Sequence, residues 1–178
     1  MKAKYIALDI AAISFSAAAQ EQTNYIQIGA IHINYIDPLV TFDNGMLALT
    51  AGHKFDPHFS IEAMAAADRT SATETWGSAN VTAKVSNSYG VYVKAQSSPS
   101  HGFSIYGKTG LTRETVTSSA FVPGFQSSAW SPTTAAAYGA GVQFDTSPNT
   151  FVSLDYMSYY KKNSVKFEGP SMNFGIKF

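Results

Sequence analysis

Apolar and polar residues alternate with a period of two along most of the chain. Leu47, Leu49, Ala51 and Phe55 share one parity, and Thr50, Gly52 and Lys54 take the other. Beyond Asp56-Pro57-His58, Phe59, Ile61, Ala63 and Ala65 alternate with Ser60 and Glu62. From Val81 to Ala95 one parity holds Val81, Ala83, Val85, Tyr89, Val91 and Val93, against Thr82, Lys84, Ser86, Ser88, Gly90, Tyr92 and Lys94. Similar runs occupy 103–112, 138–144, 152–160 and 172–178. A period of two marks a strand whose two faces meet different surroundings. The first run, Asn24 to Ile36, changes parity between Ile28 and Ile31, which predicts a bulge near Gly29-Ala30. Together these runs predict an all-β chain of eight strands.

Connections alternate in length. Strands 2–3, 4–5 and 6–7 are joined by turns at Asp56-Pro57-His58, Ser97 to Gly102 and Asp145 to Thr150, rich in Pro, Asp, Asn, Ser and Gly. The other connections are longer: Asp37 to Gly45, Asp68 to Ala79, Thr115 to Thr134 and Lys161 to Glu168. A soluble sandwich has no reason to sort its loops this way. An outer-membrane barrel does, with short turns toward the periplasm and long loops outward.

The polar parity carries Lys54, Glu62, Lys94, Lys108, Asp155 and Lys177 among Gly, Ser, Thr and Gln. These charges fit inside a narrow lumen, with the aliphatic and aromatic parity facing lipid. Eight strands leave an interior filled by side chains rather than an open channel. The predicted fold is an eight-stranded antiparallel up-and-down transmembrane β-barrel. A soluble lipocalin-like carrier is the rival architecture, but it needs an apolar interior where this chain places lysines. Glycines 52, 90, 110, 139, 141 and 175 share the inward parity and make room for longer neighbours. Phe55, Phe59, Phe103, Phe144, Phe151 and Phe178 cluster by the tight turns and the C-terminus, and Tyr35, Tyr138 and Tyr160 by the long loops, as two interfacial girdles. Phe151 breaks the parity of its strand and is expected to point inward.

Composition narrows the function. Only 13% of the 178 residues are charged, with 12 Lys+Arg balancing 12 Asp+Glu, so no basic face for nucleic acid is expected. Zero cysteines exclude disulfides, thiolate metal sites and Cys nucleophiles. At the start, Lys2 and Lys4 precede the mostly apolar Tyr5 to Phe15 and then Ser16-Ala17-Ala18-Ala19, which reads as a secretory signal over 1–19 followed by the barrel over 20–178.

Several strands look familiar. Tyr106-Gly107-Lys108-Thr109-Gly110-Leu111, Tyr138-Gly139-Ala140-Gly141-Val142-Gln143-Phe144 and Val152-Ser153-Leu154-Asp155-Tyr156 resemble strands of small bacterial outer-membrane barrels, the OmpA-type transmembrane domain and its opacity-like relatives. Met172, Phe174, Ile176 and Phe178 resemble the C-terminal assembly signal of that class. The resemblance implies the bacterial outer membrane, contact with its lipid and lipopolysaccharide, delivery by the barrel-assembly machinery, and a monomer. With the eighth strand last in the sequence, the peptidoglycan-binding domain of full-length OmpA-type proteins is not expected.

Glu62, Lys94, Lys108 and Asp155 are the candidate lumen ion-pair cluster, since opposite charges must meet where the dielectric is low. Trp76, Phe121, Phe125 and Trp130 are candidates for surface recognition of an extracellular partner by the long loops. His32, His53, His58 and His101 lack metal spacing: His58 and His101 are expected solvated in turns, His53 at the interface and His32 toward the lumen. A Ser/His/acid hydrolase needs its three groups in contact, and no local motif supplies them. The expected role is therefore structural or adhesion-like, non-enzymatic and without cofactor or metal. A narrow low-conductance pore and a lipid-modifying barrel enzyme are the alternatives.

Overall fold

A computed structural model describes residues 23–36, 41–70, 73–76, 79–122, 125–162 and 165–178. The predicted signal over 1–19 lies outside them. Nine strand segments are present: β1 (Asn24–Ile36), β2 (Thr41–Asp56), β3 (Phe59–Thr70), β4 (Thr73–Trp76), β5 (Ala79–Gln96), β6 (Phe103–Val122), β7 (Phe125–Asp145), β8 (Thr150–Lys162) and β9 (Val165–Lys177). They run in the order β3-β2-β1-β9-β8-β7-β6-β5-β4, and a β3–β5 pairing closes the ring. Segment β4 pairs with the far end of β5, beyond the stretch where β3 does. The barrel therefore has eight staves, all antiparallel, with β4 continuing the position of β3. Within the belt, closure pairs each described strand on both sides, the condition for strands to stand in hydrocarbon.

Burial is inverted relative to a soluble protein. Ile28, Leu49, Ile105 and Leu154 are 51, 53, 67 and 54% exposed, whereas Glu62 and Lys94 are 1 and 3% exposed. Outward apolar positions without a protein partner require lipid, and inward charges require the enclosed lumen. Small residues make this interior possible. Directly across the ladder, Tyr25 faces Gly52, Tyr106 faces Gly141 and Phe151 faces Gly175. A Cβ on Gly52 would fall 2.1 Å from the Tyr25 ring, and one on Gly175 would fall 2.2 Å from the Phe151 ring. Each ring thus lies over a bare stretch of the neighbouring strand, shielding backbone that glycine leaves uncovered. Phe151 does turn inward and is 1% exposed.

Four expectations are corrected. Strand β1 has no bulge at Gly29-Ala30; its register with β2 runs unbroken from Asn24↔His53 to Ile36↔Thr41. Ile31 and Ile33 lie inside, because the outer half of the lumen is apolar, so the change of parity in the sequence marks a change of interior chemistry rather than of backbone. His32 consequently points outward, 3.8 Å from Asp43. The long connections are also mostly not loops. Strands β6 and β7 run to Val122 and resume at Phe125, and β8 and β9 are interrupted only between Lys162 and Val165. Irregularities in the ladders fall instead at Gly45/Met46, Lys54/Asp56, Val85/Asn87 and Ser158/Tyr160. The outer girdle differs in part: Tyr89, Tyr138 and Tyr156 are exposed, while Tyr160 stacks on buried Phe167 at 5.0 Å.

Candidate functional site

The lumen has two layers. In the half nearer the tight turns, inward positions of seven strands converge on an ionic network. Lys108 Nζ lies 3.1 Å from Glu62 Oε2 and 3.1 Å from Asp155 Oδ2, and Lys94 Nζ lies 3.9 Å from Glu62 Oε1. All four candidate cluster residues are thus brought together. Hydrogen bonds from groups that the alternation placed inward without assigning a role add to these ion pairs, although among the described residues Glu62 Oε2 keeps only its ion pair with Lys108. Tyr25 donates to Glu62 Oε1 at 2.6 Å and Tyr106 to Asp155 Oδ2 at 2.8 Å. Ser171 donates to Asp155 Oδ1 through a short hydrogen bond. Lys94 donates to Gln143 Oε1 at 2.9 Å and sits 4.2 Å from the centre of the Tyr106 ring. Gln143 passes the chain on to Asp145, which binds Lys177 Nζ at 2.8 Å. Two two-sided arrangements, Lys108 between two carboxylates and Gln143 between lysine and carboxylate, make one connected unit of the network. Burial of such charges is tolerated only with this degree of pairing.

Toward the long-hairpin end the lumen changes character. Ile31, Ile33, Met46, Ala48, Met64, Ala66, Tyr92, Ala137, Met157, Tyr159 and Phe167 form one buried apolar cluster. Tyr92 caps the boundary, with its hydroxyl 3.9 Å from Met64 Sδ. Between the two layers a cavity of about 20 Å3 touches Glu62, Lys108 and Asp155 on one side and Ile31, Met64 and Met157 on the other, room for about one water. Glu114 sits within the apolar layer: 1% exposed, it accepts from Ser88 Oγ at 2.8 Å through Oε1, and Oε2 has no hydrogen-bond partner among the described residues.

On the outside, an apolar belt ends where charge begins. Proceeding up each strand, the first charged or imidazole outward residues include His32, Asp43, Arg69, Arg113, Lys161 and Glu168. At the lower rim, Phe55 and Phe59 stack at 6.4 Å, and Phe103 lies 4.6 Å from Phe144. His53 is at this rim, its Nδ1 2.8 Å from Asn24 Oδ1. Met172, Phe174 and Ile176 are exposed on β9, and Phe178 exchanges two backbone hydrogen bonds with Asn24, at 3.0 and 2.8 Å.

The recognition candidates are not loop residues. Trp76 pairs with Ala79 at the end of β4, Trp130 with Thr117, Phe121 with Gln126 and Phe125 with Val122. Their side chains lie outside the described residues.

The chain from residue 6 to 178 matches the family model described as outer membrane protein beta-barrel domain. No curated protein matches it. Among solved structures it is similar to Ail, the attachment invasion locus protein of Yersinia pestis, at 22% identity and TM-score 0.66, covering 89% of this chain and 100% of that one. The same protein in complex with the heparin analogue sucrose octasulfate gives 20% identity and TM-score 0.67, over 89% and 100% of the two chains. Neisserial surface protein A follows at 18% identity and TM-score 0.58, over 87% and 97%. With the inverted burial, the sealed ring and a match over nearly its whole length, the chain belongs to the outer membrane protein β-barrel domain family.

Proposed function

We propose that this protein is a closed, non-conducting outer-membrane barrel that acts at the cell surface through its hairpins, and that its partner there is an anionic polysaccharide. Strand length carries the reading. About 9–11 residues suffice for a tilted strand to cross the hydrocarbon, yet β6 has 20 residues and β7 has 21. The surplus stands above the belt as paired ribbon, more rigid than a loop and suited to presenting a surface. The partner's charge is read from the cations that outward positions carry beside Asp43 and Glu168. Arg69, Arg113 and Lys161 are exposed, and Lys161 stands directly opposite Lys166 on the β8–β9 ribbon. Like charges opposed across a ladder are destabilising, a cost that an anionic ligand offsets. The heparin analogue bound to the attachment invasion locus protein is one instance of such a ligand on this fold.

Cells displaying the protein should bind heparin-coated wells more than vector controls. Lys161→Glu with Lys166→Glu should lower the excess severalfold while the barrel still migrates heat-modifiably. Equal binding by the double variant would remove the proposed partner. Planar-bilayer recordings separate this reading from the pore alternative, which requires discrete conductance steps from the unaltered protein. Export by residues 1–19 predicts a mature N-terminus at Gln20, readable by mass spectrometry of the membrane-extracted chain. Insertion by the assembly machinery through the Met172–Phe178 pattern predicts loss of outer-membrane protein on Phe178→Ala.

A further inference from the structure

At the end of the barrel opposite the ribbons, two tight turns bring together three side chains that no local motif connects. His58 Nε2 lies 3.0 Å from Ser98 Oγ, and His58 Nδ1 lies 3.3 Å from Asp56 Oδ1. The same Asp56 oxygen accepts the His58 backbone N–H at 2.8 Å, which ties the β2–β3 turn together. A second tie joins the turns: the Gln96 amide donates to the His58 carbonyl at 2.7 Å. Hydroxyl, imidazole and carboxylate follow one another, Nε2 in hydrogen-bond contact with the hydroxyl and Nδ1 within ion-pair distance of the carboxylate. This is the order in which an imidazole takes a hydroxyl proton while a carboxylate holds its tautomer.

What lies beside this line indicates the substrate. A groove of about 630 Å3 opens at His58 and runs over the outward face of the barrel, within the size range of small-molecule sites. Its floor is the rung Ala95↔Gly107↔Ala140, three strands with nothing longer than a methyl, walled by Phe59, Ile105 and Val142. The groove is mostly apolar along the belt, with His58, Gln96 and Ser97 at its mouth. The phenylalanine rim of Phe55, Phe59 and Phe103 sets that mouth at headgroup level. Asp56 and His58 are half exposed in the bare protein, and headgroups would cover them in a membrane.

We propose that Asp56, His58 and Ser98 form an ester-hydrolysing site for glycerophospholipids of the periplasmic leaflet, with one acyl chain in the Ala95–Gly107–Ala140 groove. Ser98 Oγ attacks the acyl carbonyl carbon as His58 Nε2 takes its proton. The ester C–O bond then breaks, and His58 returns that proton to the departing glycerol oxygen. Water, deprotonated by the same nitrogen, adds to the acyl-serine, releasing a fatty acid and restoring Ser98. Atoms balance with water as the one co-reactant. Pro99, which follows Ser98, has no N–H to offer the developing oxyanion. Absence of one such donor lowers turnover by about 10²–10³, so the activity should be slow.

The test uses the full-length protein folded in detergent or in phosphatidylethanolamine vesicles, with Ser98→Ala and His58→Ala beside it. Heat-modifiable migration confirms that all three are folded, since both positions lie in exposed turns. A fluorophosphonate probe should label the unaltered protein and neither variant. Over hours, mass spectrometry should find free fatty acid and lysophospholipid released at least tenfold faster than by Ser98→Ala. Filling the groove with Gly107→Leu should abolish release from vesicles while leaving fluorophosphonate labelling in place. Labelling or release unchanged in Ser98→Ala, or absent from the unaltered protein, overturns the proposal.

Discussion

The two layers of the lumen are enclosed by the same eight staves, yet they hold the barrel by opposite means. Near the tight turns, Glu62, Lys94, Lys108 and Asp155 meet in a network in which each charge has an opposite neighbour. Nearer the ribbons, Ile33, Met46, Tyr159 and Phe167 pack as an ordinary apolar core. The ionic layer adds register specificity, because a slip of one residue would carry its charges to the lipid side. The apolar layer adds non-directional cohesion and a dry seal. Each does what the other cannot.

The largest effect should come from unbalancing the ionic layer. Glu62→Gln leaves Lys108 with one carboxylate and Lys94 with none within 4 Å, and should cost about 3–5 kcal/mol, seen as a lower midpoint for loss of heat-modifiable migration in a denaturant series. Comparable to it, Ile33→Ala in the other layer should cost about 2–5 kcal/mol through the void it leaves, by the same measurement. If Glu62→Gln were harmless and Ile33→Ala severe, the network would be ornament on an apolar core. Smaller and of opposite sign is Glu114→Gln. The same change of chemistry there removes a carboxylate whose Oε2 lacks a partner, so stability should hold or rise, within about 1 kcal/mol. The least effect concerns conductance. Glu62→Ala with Lys108→Ala should stay at background in planar bilayers, because the apolar layer still blocks the path. Adding Met64→Ala and Tyr92→Ala should bring discrete openings.

Much of this was legible beforehand, and what was not has physical reasons. Inward charge is visible to a parity count because a lysine at an inward position has few solutions, and Glu62, Lys94, Lys108 and Asp155 all carried that mark. The bulge expected near Gly29-Ala30 is absent because parity distinguishes two faces without saying which is wetter, and here the wetter face changes midway along β1. Strand extent was underestimated for a related reason: Thr, Ser and Ala between 115 and 137 suit exposed ribbon as well as loop. The Asp56–His58–Ser98 line was invisible because Ser98 is 40 residues from its base, and only closure of β3 on β5 brings the two turns side by side. Tyr25 was hidden differently, since an aromatic at an inward position is unremarkable until Gly52 is seen opposite it.

The pairing of β1 with β9 also governs when the molecule can come into being. Tyr25 finds Lys177 and Gln27 finds Gly175 across that seam, partners separated by nearly the whole described sequence. No stave ring can form on a nascent chain that still lacks its final stave, so the ribosome must finish before the cylinder starts to close. Until then the greasy stripes have no sealed ladder to stand in.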